Sequence, residues 1–325
     1  MSRTPRLVLP ALAAASVLAL AGCSSATADP AGDADAFTIV ASTNVYGQIA
    51  EAIAGDAAEV TAIITSAAQD PHGYEPTAAD QLTVQRADLL IENGGGYDAF
   101  MDALIEAGGT DAPVISAVEY AHDWPGADDD AHADDDEHAH DEDEHGHTHI
   151  EGFNEHVWYD PHTIEHVAEA IAAQLSAQLP DAAEAIEANA QAFIAELEGL
   201  EAALAEIEAA HAGEQVFVTE PAPGYLVAAA GLVDVTPAAF SEAVEEGQDV
   251  APATLLTALE AVRSGEVRVV IANAQTGGAE TTQLIDAAAA EDIPVLEFTE
   301  TLPEGQTYIP WMQQNIEELA GALAS

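Results

Sequence analysis

From residue 37 onward, short runs of β-branched and apolar residues alternate with longer helix-patterned stretches. That alternation is the signature of α/β layering and argues against an all-helical or an all-β chain. The strand-like runs are residues 37–42, 60–65, 87–91 and 114–116 in the first half, and 215–219, 267–272 and 294–298 in the second. Helical patterns such as 45–54 and 78–85 lie between them. No internal repeat is visible, and 325 residues fit roughly two domains at about 150 residues each.

Two segments interrupt the alternation. Residues 181–212 are rich in Ala, Glu, Leu and Ile, and read as one long helix with Asp181 after Pro180 as its N-cap. A helix of that length is longer than a small lobe needs, so it is expected to connect two lobes. Residues 122–149 interleave His with Asp and Glu and contain almost no large apolar side chain, so they are expected to form a loop outside any core. The expected layout is an N-terminal lobe at 37–180, a linking helix at 181–212 and a C-terminal lobe at 213–325.

Charge and cysteine content narrow the chemistry. With 59 acidic and 5 basic side chains the formal net charge is −54, the wrong sign for a nucleic-acid binder. The acidity can steer cations toward a cleft, or can reflect a general acidic bias of the source. The only cysteine is Cys23, which excludes an intramolecular disulfide and a multi-thiolate metal site. Any metal must be held by His, Asp or Glu. Arg3 and Arg6 precede an apolar stretch at 7–21 that is too short for a full bilayer span, as in a secretory signal. It ends Leu20-Ala21-Gly22-Cys23, which looks like a bacterial lipobox. The reading is a signal peptide at 1–22 and a tether at 23–36, with Cys23 carrying the lipid that anchors the protein outside the cytoplasmic membrane.

Three segments carry candidate metal ligands. The acidic loop holds His122, His132, His138, His140, His145, His147 and His149. Neutral imidazole suits zinc, copper or nickel, but low complexity has no fixed geometry, so this loop reads as an auxiliary collector. The segment Asp70-Pro71-His72-Gly73-Tyr74-Glu75-Pro76 places a histidine between a strand and a helix, where α/β folds bind ligands. The segment Phe153-Asn154-Glu155-His156-Val157-Trp158-Tyr159-Asp160-Pro161 sets a second histidine beside two aromatics, either a low-dielectric wall or core packing.

The pairing of these two segments around a His/Asp/Glu-rich insert resembles the zinc and manganese solute-binding lipoproteins of bacterial ABC transporters. The likeness runs through Val218-Thr219-Glu220 with Tyr225, and through Phe298-Thr299-Glu300-Thr301 with Tyr308, Trp311 and Met312. It implies two α/β lobes with a metal cleft between them, joined by one long rigid helix. It also implies metal ligands at His72, His156, Glu220 and Glu300, the last standing where most members have Asp. Zinc is the expected cargo and manganese the alternative. The expected partners are an ABC permease and its ATPase, with the protein itself a monomer and not an enzyme. Two imidazoles and two carboxylates would neutralise a divalent cation, limiting the cost of burying it.

Two rivals remain from the sequence. One is a metal buffer that works through the histidine loop without a permease. The other is a zinc hydrolase at His162-Thr163-Ile164-Glu165-His166, whose H-x-x-E-H spacing puts two histidines on one helix face. A hydrolase also needs a third ligand and an open coordination position. His162, His166 and His211 therefore read as helix-surface residues.

Overall fold

The computed structural model describes residues 36–126, 150 and 152–325. Cys23, the expected signal segment and His132, His138, His140, His145, His147 and His149 lie outside those residues. The N-terminal lobe runs β1 (Thr38–Thr43), α1 (Asn44–Ala54), β2 (Glu59–Ile64), α2 (Ala78–Val84), β3 (Leu89–Glu92), α3 (Ala99–Gly108) and β4 (Val114–Ser116). Two helices follow, α4 (Pro161–Gln178) and α5 (Ala183–His211). The C-terminal lobe comprises β5 (Gln215–Val218), α6 (Gly224–Ala229), β6 (Val233–Asp234), α7 (Ala238–Glu245), α8 (Pro252–Val262), β7 (Val267–Asn273), α9 (Ala279–Ala290), β8 (Val295–Phe298) and α10 (Tyr308–Leu323).

Each lobe holds a four-stranded parallel sheet, ordered β2-β1-β3-β4 and β6-β5-β7-β8. Ile39, Val40 and Ala41 of β1, and Val269, Val270 and Ile271 of β7, are fully buried, as strands covered on both faces must be. In each sheet the strand order reverses beside the first strand, between β1 and β3 and between β5 and β7. Loops at the carboxyl ends of strands there form the crevice in which such sheets bind ligands. The structure adds β6, a two-residue exposed edge strand, to the seven strands read from the sequence.

The long helix α5 spans 29 residues, about 43 Å at 1.5 Å per residue. Its buried residues Ile186, Ala190, Phe193, Leu197, Leu200, Leu204 and Ile207 alternate spacings of four and three, one continuous apolar stripe. The stripe packs against α4, α1 and α10, so elements from both ends of the chain share one core. Asp181 does not cap this helix. The N-cap is Ala182, without a side-chain hydrogen bond, and 179–182 form a turn closed by Ala182 N–H to Leu179 O at 2.9 Å. Among the described residues no helix is long and apolar enough to cross a membrane.

Candidate metal centre

His72 enters from the loop after β2. Its backbone N–H donates to Asp70 Oδ1 at 2.9 Å, an Asx turn that sets the loop before Thr77 starts α2 with a reciprocal Thr77–Asp80 capping box. Thus Asp70 orients the histidine and Asp80 fixes the helix that follows. His156 enters just ahead of a single 3₁₀ turn, Val157–Tyr159. Asn93, at the end of β3, donates from Nδ2 to Glu155 O at 2.9 Å and pins that loop to the sheet. Asp160 caps α4, accepting from His162 N–H at 3.2 Å and from Thr163 Oγ1 at 2.7 Å.

The two imidazoles meet, with ring centroids 5.9 Å apart, His72 9% and His156 1% exposed. Tyr97 packs edge-on against both, at 4.9 and 5.6 Å, and Trp158 lies 5.1 Å from His156. Gly94 (φ +79°) enables the turn before Tyr97, because a Cβ there would stand 2.2 Å from Ser116 Oγ. Of the two aromatics beside His156, Trp158 forms the apolar wall. Tyr159 instead packs with Phe298 and Trp311 and donates to Thr299 O at 2.6 Å, joining the lobes.

Asn154 orients the His156 ring. Its Oδ1 accepts from His156 N–H at 3.2 Å and lies 2.8 Å from ring Nδ1, while its Nδ2 donates to Pro221 O at 3.1 Å. Since the amide nitrogen is committed to a carbonyl, the oxygen faces the ring, and Nδ1 is the protonated nitrogen. Nε2 then faces the cleft, 3.6 Å from Glu245 Oε1.

The two expected carboxylates sit at the other lobe's strand ends. Glu220 follows β5 and Glu300 follows β8, 2% and 3% exposed. Asn273, the last residue of β7, donates from Nδ2 to Glu220 Oε2 and to Glu300 Oε1, the latter at 2.6 Å. Thr276 Oγ1 donates to Glu220 Oε1. Gln275 fixes the Glu300 backbone: its Oε1 accepts from Glu300 N–H at 2.6 Å and Thr301 N–H at 3.0 Å. Its Nε2 reaches Ala67 O at 3.1 Å, in the loop that carries His72.

Burial, then the neighbouring Glu220 and Asp70 carboxylates, push the Glu300 carboxyl up to about 8. Glu220 is also raised, chiefly by burial, against the lowering effect of its hydrogen bonds from Thr276 and Asn273. Glu300 Oε2 is buried and has no hydrogen-bond partner among the described residues. Such a carboxylate pair is costly unless a proton or a cation compensates it. The arrangement suits a cation.

The structure does not close these four residues into a single group. Among the described residues the donors that converge here, with ligand atoms all within 4.8 Å of one another, are His72, His156 and Glu245. Glu245, which the sequence reading missed, ends α7 and lies 3.6 Å from His156 Nε2 through Oε1. Its run, Ala243-Val244-Glu245-Glu246-Gly247, has no mark in sequence beyond acidity at a helix end. Asn273 and Gln275 were missed too, although they follow a strand at the reversal of strand order. His72 and Glu245 line an open cleft of about 740 Å³, together with Asp70, Thr276 and Glu280.

Outside this group, His122 is exposed and lies 4.0 Å from Asp160 Oδ2. His162 is exposed and His166 half-buried on α4. They pair with Glu201 at 3.5 Å and Glu169 at 3.3 Å, and His162 forms a second group of possible donors with the half-buried Glu165 and Glu201. His211 is half-buried rather than fully on the surface and pairs with Glu214 at 3.3 Å.

Residues 39–322 match the family described as zinc-uptake complex component A, periplasmic, ZnuA. The zinc-binding lipoprotein AdcA of Streptococcus pneumoniae is 28% identical over 276 residues, covering 82% of this chain and 52% of AdcA. This chain thus spans about half the length of that relative. The high-affinity zinc uptake system protein ZnuA of Bacillus subtilis is 27% identical over 317 residues, covering 95% of each chain. The manganese-binding lipoprotein MntA of Halalkalibacterium halodurans is 28% identical over 184 residues, covering 57% of this chain and 54% of MntA. Among solved structures, a crystal structure of ZnuA superposes with a TM-score of 0.68 at 21% identity, covering 89% of this chain and all of that one. Two parallel-sheet lobes, a long helix between them and a match over residues 39–322 lead to one conclusion: the chain belongs to the ZnuA family of zinc-uptake complex components.

Proposed function

We propose that this protein binds one divalent transition metal ion between its lobes, outside the cytoplasmic membrane, and delivers it to an ABC permease driven by its ATPase. The observation that supports this reading is a pair of buried, adjacent imidazoles, His72 and His156, in one lobe and a buried carboxylate pair, Glu220 and Glu300, held by Asn273 in the other. His72, His156, Glu220 and Glu300 are the proposed ligands. Relatives named for zinc and for manganese support a metal cargo of this class. Zinc is the first choice because two imidazoles and carboxylate oxygens match its preferred donors. Manganese is the second reading, favoured by the richness of the cleft in carboxylates. The protein acts as a monomeric receptor rather than an enzyme, held at the membrane through a lipid on Cys23.

The long helix and the shared core support a stiff scaffold, so uptake and release rest on movement of ligand-bearing segments. His72 or Glu300 is the ligand proposed to move. Calorimetric titration with zinc and with manganese, on the intact protein and on one lacking residues 127–149, tests the reading. One tight zinc site surviving the deletion supports the receptor. Loss of tight binding with the deletion replaces it with a buffer working through the histidine-rich segment.

A further inference from the structure

The solvent-facing side of α4 and α5 carries a second set of donors that the cleft does not use. His162 and His166 stand four residues apart on α4, so they share one helix face, and their ring centroids lie 4.9 Å apart. Glu201 reaches them from α5, with Oε1 3.5 Å from His162 Nδ1. Glu165 completes the group: ligand atoms of His162, Glu165 and Glu201 all fall within 4.8 Å of one another. The His162 and His166 side chains are 59% and 43% exposed, so an ion reaches them directly from solvent.

Two features set this group apart from a chance surface contact. The backbones that carry the donors are fixed. Asp160 accepts from His162 N–H, Thr163, Ile164 and Val167 beside the histidines are buried, and Leu200 and Leu204 bury the flanks of Glu201 in the same core as Ile164 and Val167. Donors on two packed helices are in place before the ion arrives, unlike donors on a loop. The surroundings also suit a cation. The five basic side chains of the sequence are Arg3, Arg6, Arg86, Arg263 and Arg268, none of them on α4 or α5, so no guanidinium of these helices competes for Glu165, Glu169 or Glu201. The 3.5 Å between His162 Nδ1 and Glu201 Oε1 is close to the roughly 3.3 Å that separates two donors on a tetrahedral ion with bonds of about 2.0–2.1 Å.

We propose that His162, Glu165 and Glu201 form a second metal site, with His166 exchanging its Glu169 partner for the ion. Mixed imidazole and carboxylate donors suit a transition-metal dication such as zinc, whereas magnesium prefers oxygen donors and keeps its waters. At an exposed site water competes with the protein donors, so zinc is held less tightly here than in a buried cleft. The bound ion fastens α4 to α5. The site is separate from the cleft and goes beyond the receptor reading.

Diethyl pyrocarbonate modifies accessible imidazoles and spares metal-bound ones, and peptide mass spectrometry reads its reaction at each histidine of the intact protein. The expected result is that added zinc protects His162 and His166 with one shared midpoint, while magnesium protects neither. Glu201→Gln, on the exposed face, removes one donor and keeps the shape. It should raise the zinc concentration at half-protection about tenfold or more, at least what losing an outer hydrogen-bond partner of a metal ligand costs. His72→Ala should leave that midpoint where it is. Labelling of His162 that zinc does not change overturns the proposal and leaves His162 and Glu201 as an ion pair only. An unchanged midpoint in Glu201→Gln overturns it too, because the ion then rests on imidazole alone. Protection that disappears in His72→Ala would trace the effect to the cleft and likewise overturn a separate site.

Discussion

Asn44 and Leu302 exchange two hydrogen bonds: Asn44 Nδ2 donates to Leu302 O, and Leu302 N–H donates to Asn44 Oδ1, each at 3.0 Å. One side chain thereby imitates the edge of a β-strand and binds the first helix of one lobe to the segment following Glu300 in the other. Gln48 extends the seam by accepting from Tyr308 N–H at 2.7 Å, and Tyr308 OH donates to Trp158 O at 2.8 Å. The lobes are stitched through backbone atoms next to the loops that carry His156 and Glu300.

Asn44→Ala removes both bonds and leaves the Leu302 backbone groups without these partners. The expected loss is about 1–3 kcal/mol of stability, read from the midpoint of urea unfolding at constant m. A variant as stable as the parent would show that solvent substitutes for the seam.

Gly199 sits exposed in the middle of α5, and a Cβ there meets nothing within 4 Å. Gly199→Ala therefore relieves the entropic cost of glycine in a helix without a clash. It should raise stability by about 0.5–1 kcal/mol, with metal affinity unchanged. Thermal unfolding and zinc titration of the same variant check both halves.

Asn273 donates to both Glu220 and Glu300. Its replacement by Ala removes the donor that holds two buried carboxyl groups in register. Metal affinity should fall roughly 10–100-fold while the fold is kept, seen by calorimetry beside circular dichroism. Equal affinity would mean that the ion organises the carboxylates unaided.

Glu92 gives a pH signature outside the proposed ligand set. Burial, then the Asp98, Asp102 and Glu119 carboxylates, push it from 4.5 up to about 9. Between those values the unfolded chain has released this proton and the folded chain still holds it. The Glu92 contribution to stability is therefore intact below about pH 4.5, falls as pH rises and levels off above about 9. The slope is at most about 1.4 kcal/mol per pH unit. Glu92→Gln cannot titrate, so its stability relative to the parent should improve steadily from pH 5 to pH 9. A difference constant across that range would contradict the shift.

The strands whose residues are β-branched and buried, such as Ile39-Val40-Ala41 and Val269-Val270-Ile271, could be read from the chain because burial on both faces writes an apolar run. β6 could not, since Val233 and Asp234 are both exposed and pair only at a sheet edge. The α5 helix was legible from composition, but its cap was not, because Ala182 makes no side-chain bond for which sequence carries a sign. Within the site, His72 and His156 stand in distinctive surroundings of Pro, Gly and aromatics. Glu245 stands in an acidic run like many others, and only the tertiary placement of α7 brings it to the histidines. Asn273 and Gln275 act through single hydrogen bonds across long separations, which leave no periodic pattern behind.

Calorimetric zinc titration of the protein lacking residues 127–149, with and without His72→Ala and His156→Ala, decides whether the histidine pair holds the ion. One tight site is expected in the deleted protein and its loss in either histidine variant. Tight binding that persists in both variants, or that disappears with the deletion alone, would contradict it.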